Sequence, residues 1–397
     1  MKSHIRFVLT PLLTAALLCF GAVQEAFAGA GRQAALFLDY PHRSVRAAGL
    51  ADTFVTVDND PGSSLWNPAG LSAIQKTTVL IGYNSHSQAF GAAGEGLYYA
   101  VGALSTPLGN GVLNATLQLN GQGTIDYTTD SPDVLDVVNL GTNWVFSASY
   151  AEALSDNLRA GLTGKIIRQV LGAGLEGGGH SSTSYALDAG VQWDLLNDRL
   201  TTAASILNYG TRVQFKDANQ SDPLPRKFRA GASVLAINMP GEFEMRVSGE
   251  IAAAIDALSQ NREAEDFVQT VDERMEDGAN DANSKYAGRS RADIEDELIR
   301  QRGIGIHAFG WERLERSFGV EAVVAQILAV RAGLKWHDEG IEVGSQLDIM
   351  DRAAFGFGVN LEAATELPIV VDYANGLWGQ GGPTRERIHS FSLSVGL

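Results

Sequence analysis

The sequence predicts an all-β protein, a transmembrane antiparallel β-barrel of about 14 strands with an N-terminal plug and a helical acidic insertion. Three observations predict this fold. The chain begins with an export signal, its strand-like segments alternate apolar with polar residues, and the connections between those segments alternate between short and long.

Residues 1–28 have the parts of a secretory signal. A basic start precedes an apolar core at Phe7–Phe20 and a cleavage site of the A-x-A type at Ala26-Phe27-Ala28. The core is too short to span a bilayer, and no later apolar run is long enough for a transmembrane helix. Cys19, the only cysteine, lies in this signal, so we expect a mature protein without disulfides. Such an exported chain is either a soluble periplasmic protein or an outer-membrane barrel.

Alternation of residue types gives each predicted strand one apolar face and one polar or small face. Between residues 185 and 193, for example, Tyr185, Leu187 and Val191 alternate with Asp188 and Gln192. A soluble β-sandwich would show the same pattern. Alternation therefore predicts strands without deciding between the two folds.

The lengths of the connections favour a barrel, because outer-membrane barrels have tight periplasmic turns and longer outer loops. The predicted strand number is even, as bacterial barrels require. A further strand at Gly303–Phe309 is an alternative that would change this parity. The strands are predicted near 77–84, 94–105, 111–122, 142–150, 157–170, 180–194, 199–209, 226–236, 243–255, 315–325, 328–336, 352–362, 366–375 and 386–397.

Residues 29–76 are predicted to form a plug that packs on the barrel wall, and residues 77–397 the barrel itself. Prolines, glycines and short polar residues predict successive turns between Val55 and Leu71. Because these turns also carry apolar side chains, we expect Trp66 to lie in the lumen, with its N–H bonded to a partner such as a carboxylate. The candidate plug residues are Asp58, Asp60, Trp66, Asn67, Pro68 and Gly70.

Three polar residues share one face of a predicted wall strand. Arg159, Thr163 and Lys165 lie opposite a face that includes Leu162 and Ile166. We expect them to line the lumen and to pair with lumenal carboxylates. A substrate site at this position is the alternative.

The long connection 256–302 differs in composition, with 13 acidic and 7 basic residues and no proline. Phe267, Val271 and Met275 recur at helical spacing, which predicts a helical pair joined by a turn at Gly278–Gly288. A solvated excursion without a role and an arm that docks a partner both fit this pattern.

No motif predicts catalysis, a cofactor or a metal. The G-x-G-x-x-G run at Gly172–Gly177 is followed by residues that cannot open a helix, so it indicates a hairpin tip rather than a dinucleotide site. The run Asp58-Asn59-Asp60 begins like a calcium loop, but Pro61 and Gly62 break the pattern. A formal net charge of −16 argues against nucleic acid as a partner. We therefore expect a protein that is not an enzyme.

Several motifs occur in a fixed order along most of the chain. They are Ala47-Ala48-Gly49-Leu50, Phe54-Val55-Thr56-Val57, Trp66-Asn67-Pro68-Ala69-Gly70-Leu71, Leu207-Asn208-Tyr209-Gly210, Phe318-Gly319-Val320-Glu321 and Val371-Asp372-Tyr373-Ala374. This ordered set resembles the PorV/PorQ family of outer-membrane proteins, relatives of the FadL fatty-acid transporters. Asp52 departs from the small residue that is usual in the family, and 256–302 looks like an insertion.

The resemblance implies a FadL-like barrel with an N-terminal plug, surrounded by the lipid of a Gram-negative-type outer membrane. In the branch linked to type IX secretion, it also implies binding of secreted protein clients or secretion-system components. We therefore expect a non-enzymatic barrel that binds protein clients or partners. The alternative is a FadL-like channel for uptake or export of hydrophobic small molecules, and an inert structural barrel is a third. A filled, charged lumen favours docking, and a continuous apolar pocket beneath Trp66 favours transport.

Overall fold

The computed structural model describes most of the barrel and part of its loops. The predicted signal at 1–28 and the alternative strand at Gly303–Phe309 lie outside the described residues. The described residues are 34–39, 43–85, 96–127, 136–173, 179–215, 221–255, 260–281, 284–290, 294, 297, 315–336, 353–362, 368–378 and 386–397.

Fourteen strands form one closed barrel in which neighbouring strands pair antiparallel, which confirms the predicted antiparallel barrel and its strand number. Two further strands, β4 and β5, form a separate two-stranded sheet. The strands are β1 (Thr78–Ser85), β2 (Leu97–Leu108), β3 (Gly111–Gln122), β4 (Thr124–Tyr127), β5 (Asp136–Asn139), β6 (Thr142–Ala153), β7 (Leu158–Leu171), β8 (His180–Leu195), β9 (Leu200–Gly210), β10 (Lys227–Met239), β11 (Phe243–Ala254), β12 (Glu315–Val324), β13 (Leu328–Trp336), β14 (Ala353–Asn360), β15 (Ile369–Trp378) and β16 (Glu386–Gly396).

The barrel closes where its last strand pairs with its first. Tyr83 of β1 lies opposite Phe391 of β16, and the backbone N–H of Leu397 donates to the carbonyl oxygen of Thr77 at 2.7 Å. The start of β1 and the end of β16 therefore lie at the end of the barrel where short turns connect the strands. One of these turns contains Asn197 at a φ of 54°, the left-handed conformation that a tight connection requires.

Side chains alternate between an apolar outer face and a polar inner face. On β3, Leu113 and Leu117 are 42 % and 44 % exposed, whereas Asn114 and Gln118 are buried. A soluble sandwich buries its apolar face instead, so this arrangement excludes that alternative and fits a wall surrounded by lipid. Other exposed apolar side chains include Ile81, Tyr83, Phe146, Tyr185, Trp193, Phe355, Phe357 and Phe391.

The β4–β5 sheet was not predicted. Both strands lie within the connection 123–141, which the sequence predicts to be a loop. Each strand has only four residues. That length is too short to give a period-two pattern that can be distinguished from chance.

The described helices are short except for one in the long connection. They are α1 (Val45–Gly49), α2 (Gln260–Asn280) and 3₁₀ helices at Leu36–Asp39, Pro61–Leu65 and Pro68–Ala73. Across the described ranges, none of the helices combines the length and the apolar character needed to cross a membrane.

Helix α2 packs on residues of its own connection. Val271 and Ile294 are fully buried against each other, with Met275 and Tyr286 beside them. Gly278 lies inside α2, so the expected turn does not begin there. The helix continues because glycine costs only about 1 kcal/mol in a helix interior, and the chain turns at residues 284–288 instead.

A segment that precedes β1 lies inside the ring of strands. We call residues 34–39 and 43–76 the lumenal segment. Its helix α1 packs on β13–β16, and its 3₁₀ helix at Pro68–Ala73 packs on β3, β6, β7 and β8 across the barrel. One apolar cluster lies between this segment and the inner wall. It consists of Ala47, Leu50, Phe54, Val57, Leu65, Trp66, Tyr99 and Val101.

Candidate functional site

The turns of the lumenal segment are fixed by capping side chains. Asp60 accepts a hydrogen bond from the backbone N–H of Gly62 at 2.7 Å and so caps the 3₁₀ helix that begins at Pro61. Asn67 does the same for Ala69 at 3.0 Å, immediately before Pro68. Asn67 also has the extended backbone that a residue before proline prefers. The two prolines therefore start two short helices whose first N–H groups are satisfied locally.

Asn67 also attaches these turns to the wall. Its Nδ2 donates to the carbonyl oxygens of Val55 and of Val191 on β8, each at 3.0 Å. A glycine in the wall leaves the space for Asn67, because a β-carbon at Gly190 would lie 2.0 Å from Asn67 Oδ1. Gly161 on β7 leaves the same kind of space for Pro68. The inward-facing glycines thus accommodate the turn that Asn67 and Pro68 form.

Trp66 is fully buried between the segment and the wall. Its ring meets that of Phe54 edge to face, with centroids 5.2 Å apart, and Arg43 stacks over it at 4.7 Å. Ser205 of β9 donates to the backbone carbonyl of Trp66 at 2.6 Å. The indole Nε1, however, has no hydrogen-bond partner among the described residues. The expectation that a carboxylate accepts this N–H is therefore wrong, because the ring turns toward apolar and cationic neighbours. Gly70 lies where a β-carbon would be 2.4 Å from the carbonyl oxygen of Val57.

The predicted acidic residues of the segment, Asp58 and Asp60, form ion pairs with arginines. Arg159 of β7 binds Asp58 at 2.5 Å and Asp194 at 2.7 Å, so it joins the segment to the wall near the short turns. Asp60 lies 3.4 Å from Arg46, which is also in the segment. Burial raises the pKa of Asp60 above its ordinary value, although the charge of Arg46 opposes the shift.

The other two predicted wall residues point inward but bond to the wall itself. Lys165 lies 2.7 Å from Asp188, and its Nζ donates to Asn208 at 2.7 Å. Thr163 donates to Ser149 at 2.8 Å. Lys165 therefore pairs with a lumenal carboxylate as expected, whereas Thr163 bonds to a hydroxyl.

Glu250 is a wall residue that bonds the backbone of the segment, and the sequence did not single it out. One carboxylate oxygen accepts the backbone N–H groups of Phe54 and Val55 at 2.7 and 2.9 Å. The other accepts from Arg229 at 2.5 Å. The only signal in the sequence is a glutamate on the polar face of β11, which does not distinguish it from other lumenal residues.

Two chains of ion pairs connect the segment to one side of the wall. In the first, Arg46 donates to Glu321 of β12 at 3.0 and 2.8 Å, and Arg331 bridges Glu321 and Asp372 at 2.7 and 2.5 Å. The residues of the second chain are Asp52, Lys335, Glu315, Lys227 and Asp39. Each charge in these chains has an opposite partner, so the inner wall is polar without carrying a large excess of one sign.

No group of three or more His, Cys, Asp or Glu side chains in the described part of the chain is arranged to hold a metal ion. The acidic residues of the segment are instead occupied by arginine, lysine and backbone N–H groups.

A barrel wall with an apolar outer face and a polar, occupied interior defines the class of this protein, which is an outer-membrane β-barrel. Its family is given by a sequence comparison. The chain belongs to the family of the Type IX secretion system protein PorV, whose model matches residues 35–255, more than half of the sequence. The resemblance inferred from the ordered motifs is thereby confirmed.

The fold is shared with a solved structure. The chain is similar to the toluene transporter TbuX of Ralstonia pickettii, with 10 % identity and a TM-score of 0.50 over 89 % of this chain and 98 % of that chain. It is also similar to a FadL homologue of Pseudomonas aeruginosa, with 13 % identity and a TM-score of 0.44 over 89 % of this chain and 97 % of that chain. At such identities the likeness to TbuX concerns the fold alone. A comparison with curated proteins finds no match.

Proposed function

We propose that this protein binds secreted protein clients or secretion-system partners at the outer membrane and catalyses no reaction. The observation that carries the proposal is the occupied interior. Trp66 and Phe54 are fully buried within the ring of strands, and charged residues of the wall bond directly to the segment that contains them. A barrel filled in this way favours docking over passage.

The free energy needed to break the contacts between segment and wall also favours docking over passage. Glu321, Arg159 and Glu250 each bond the lumenal segment from a different strand of the wall. A hydrogen bond to a charged group contributes about 1.5–3 kcal/mol, and less where one partner is partly exposed, as Asp58 is. Moving the segment aside to open a passage for a hydrophobic molecule would break several of these contacts together. The interior is therefore suited to holding the barrel rigid while its outer loops bind a partner.

Family membership supports protein clients in particular, because the matching family is that of a secretion-system protein. The long connection between β11 and β12 supplies a candidate docking surface. Its helix α2 exposes acidic side chains, among them Asp272, Glu273 and Glu276. Basic or polar surfaces of a client would complement this face.

Direct binding tests the proposal. The mature protein in lipid nanodiscs is presented to isolated C-terminal domains of proteins secreted by the same organism, and binding is followed by interferometry. We expect saturable binding of at least one domain. A folded barrel that binds none of these domains would contradict the proposal. Replacing residues 256–302 with a Gly/Ser linker then shows whether α2 contributes to the docking surface.

The second candidate function is a channel for hydrophobic small molecules, and the shared fold with the toluene transporter TbuX favours it. Uptake of a monoaromatic hydrocarbon into proteoliposomes separates the two functions. The docking proposal expects the same uptake as in liposomes without protein. Saturable uptake together with absent client binding would replace docking with transport.

The cellular location follows from the same proposal. Cleavage of the signal near Ala28 should leave a mature chain that fractionates with the outer membrane. Mass spectrometry of the N-terminal peptide and a heat-dependent shift on a gel are the measurements. Recovery of a soluble periplasmic species would exclude this location.

A further inference from the structure

The connection between β9 and β10 turns inward at the end of the barrel opposite the short turns. Its described residues are 211–215 and 221–226. Val213 and Leu224 of this connection are fully buried. They belong to one apolar cluster with Leu38 of the lumenal segment and Ile167 of the inner wall. Because apolar side chains gain free energy by leaving water, their burial holds the connection against the lumenal segment.

The same connection is closed on itself and bonded to the lumenal segment. The backbone N–H of Val213 donates to the carbonyl oxygen of Asp222 at 2.8 Å, and the N–H of Asp222 donates to the carbonyl oxygen of Val213 at 3.1 Å. Ala34 of the lumenal segment donates its N–H to the carbonyl oxygen of Pro223 at 3.0 Å. The two described halves of the connection therefore form one unit over the first residues of the lumenal segment.

Asn208 joins this unit to the wall. It has a φ of 59°, which few residues other than glycine adopt, at the point where the pairing of β8 with β9 shifts register. Its Nδ2 donates to the carbonyl oxygen of Pro225 at 2.9 Å, and its Oδ1 accepts from Lys165 at 2.7 Å. Its backbone N–H donates to Asp188 at 2.7 Å. One side chain thus connects the β9–β10 connection to a charged pair of the wall.

The charged pair fixes the position of Asn208. Lys165 and Asp188 are fully buried and lie 2.7 Å apart. A buried pair of this kind adds little stability compared with apolar residues, because both charges lose their hydration. Both of these charged groups, however, also bond Asn208. We propose that the β9–β10 connection is a lid over the outer end of the lumenal segment, and that Asn208 is the positioning residue that holds the lid closed.

The lid can open without separating the strands on either side of it. It ends at Arg226, whose carbonyl oxygen accepts the N–H of Ile255 at 2.9 Å. Below that point, β9 and β10 remain paired from Leu207 and Lys227 onward. Loss of the bond between Asn208 and the lid therefore changes access to the lumenal segment and leaves the wall intact. This inference does not depend on the client binding proposed above.

Cysteine labelling of the full mature chain in lipid nanodiscs tests the lid. Cys19 is the only native cysteine and lies in the signal, so a single introduced thiol reports alone. Val213→Cys places the thiol at a buried position, and Gln214→Cys places it at the exposed neighbouring position. We expect a water-soluble maleimide to label Val213→Cys about tenfold more slowly than Gln214→Cys, because labelling requires local opening. Equal rates would overturn the proposed lid.

Two glycine variants, each combined with Val213→Cys, assign closure to Asn208. Asn208→Gly tolerates the positive φ and removes both side-chain bonds. It should speed labelling about fivefold or more, the factor that one lost hydrogen bond represents, while the barrel keeps its heat-dependent shift on a gel. Asn197→Gly is the matched control, because Asn197 has a φ of 54° in a short turn at the opposite end, and it should label at the unchanged rate.

Two results would overturn the role of Asn208. One is unchanged labelling of Val213→Cys in a folded Asn208→Gly barrel. The other is an equal increase of the labelling rate in Asn197→Gly. The comparison of Val213→Cys with Gln214→Cys needs neither glycine variant, so it decides whether the lid exists even where Asn208→Gly does not fold.

Discussion

Gly161 of the wall and Pro68 of the lumenal segment touch through their backbones. A β-carbon at position 161 would lie 2.5 Å from the carbonyl carbon of Pro68 and 2.7 Å from its oxygen. Three residues farther along β7, Gly164 faces outward with no atom within 4 Å of the same position. Substitutions at Gly161 and Gly164 therefore distinguish the effect of losing the contact with the segment from the general effect of replacing a glycine in a strand.

Gly161→Ala should destabilise the barrel by about 1–3 kcal/mol, because the added methyl group has no space beside Pro68. The free energy of unfolding is measured by guanidinium titration in lipid vesicles. Gly164→Ala is the control and should change it by at most about 0.5 kcal/mol. Equal effects of the two substitutions would contradict the close approach.

Glu250→Ala should cost about 3–5 kcal/mol, because Arg229 and two backbone N–H groups lose their acceptor inside the barrel. Glu250→Gln should cost less, since its amide oxygen still accepts from the N–H groups of Phe54 and Val55. Glu242, in an exposed short turn, serves as the control, and Glu242→Ala should unfold as the wild type does. The prediction fails if Glu250→Ala and Glu242→Ala unfold at the same denaturant concentration.

Trp66→Ala should remove about 3–5 kcal/mol of packing, as is usual for a buried aromatic residue. Trp193 is 50 % exposed on the outer face, so Trp193→Ala should cost less. Under the docking proposal, the loss of stability occurs without saturable uptake of a hydrocarbon probe into proteoliposomes. Selective uptake that appears only in Trp66→Ala would indicate that the segment gates a channel.

The pH dependence of stability should reveal Asp60. Because burial raises its pKa in the folded state, the folded protein holds this proton more tightly than the unfolded chain does. The contribution of Asp60 to the stability of the folded protein is therefore most favourable at low pH and is lost as the pH rises through the raised pKa. Asp60→Asn cannot titrate, and its amide oxygen can still cap Gly62. We expect the stability of Asp60→Asn relative to the wild type to increase between about pH 3 and about pH 8. A constant or decreasing difference would contradict the shift.

Replacing residues 256–302 with a short Gly/Ser linker should leave the barrel folded. Val271 packs within the same connection, and changing the length of a loop costs little entropy. Heat modifiability on a gel is the measurement. Loss of the assembled barrel would show that this connection is part of the wall.

The wall was predictable from sequence because its signal is local. Alternation along each strand identifies both faces without knowledge of the partner strand, so Arg159, Thr163 and Lys165 could be assigned to one face in advance. The turns around Pro61 and Pro68 were also local, since proline and the preceding capping residue determine them together.

Contacts within the lumen were not predictable in the same way. Glu250 reaches Phe54 across 196 positions of sequence, and nothing near either residue encodes the distance between them. A carboxylate was predicted to accept the N–H of Trp66 on general grounds. In the described structure, an arginine lies over the ring instead. Such pairings follow from the closed ring and not from local pattern.

The order of the chain has a kinetic consequence for assembly. The lumenal segment is synthesised before every strand, yet Arg46 binds Glu321, which lies 275 positions later. Pairing β1 with β16 requires the last strand as well. Contacts between residues so far apart form slowly, because the entropy of closing the intervening loop is lost before any contact compensates for it. The segment that is made first must therefore remain without its final partners until the far side of the ring has formed around it.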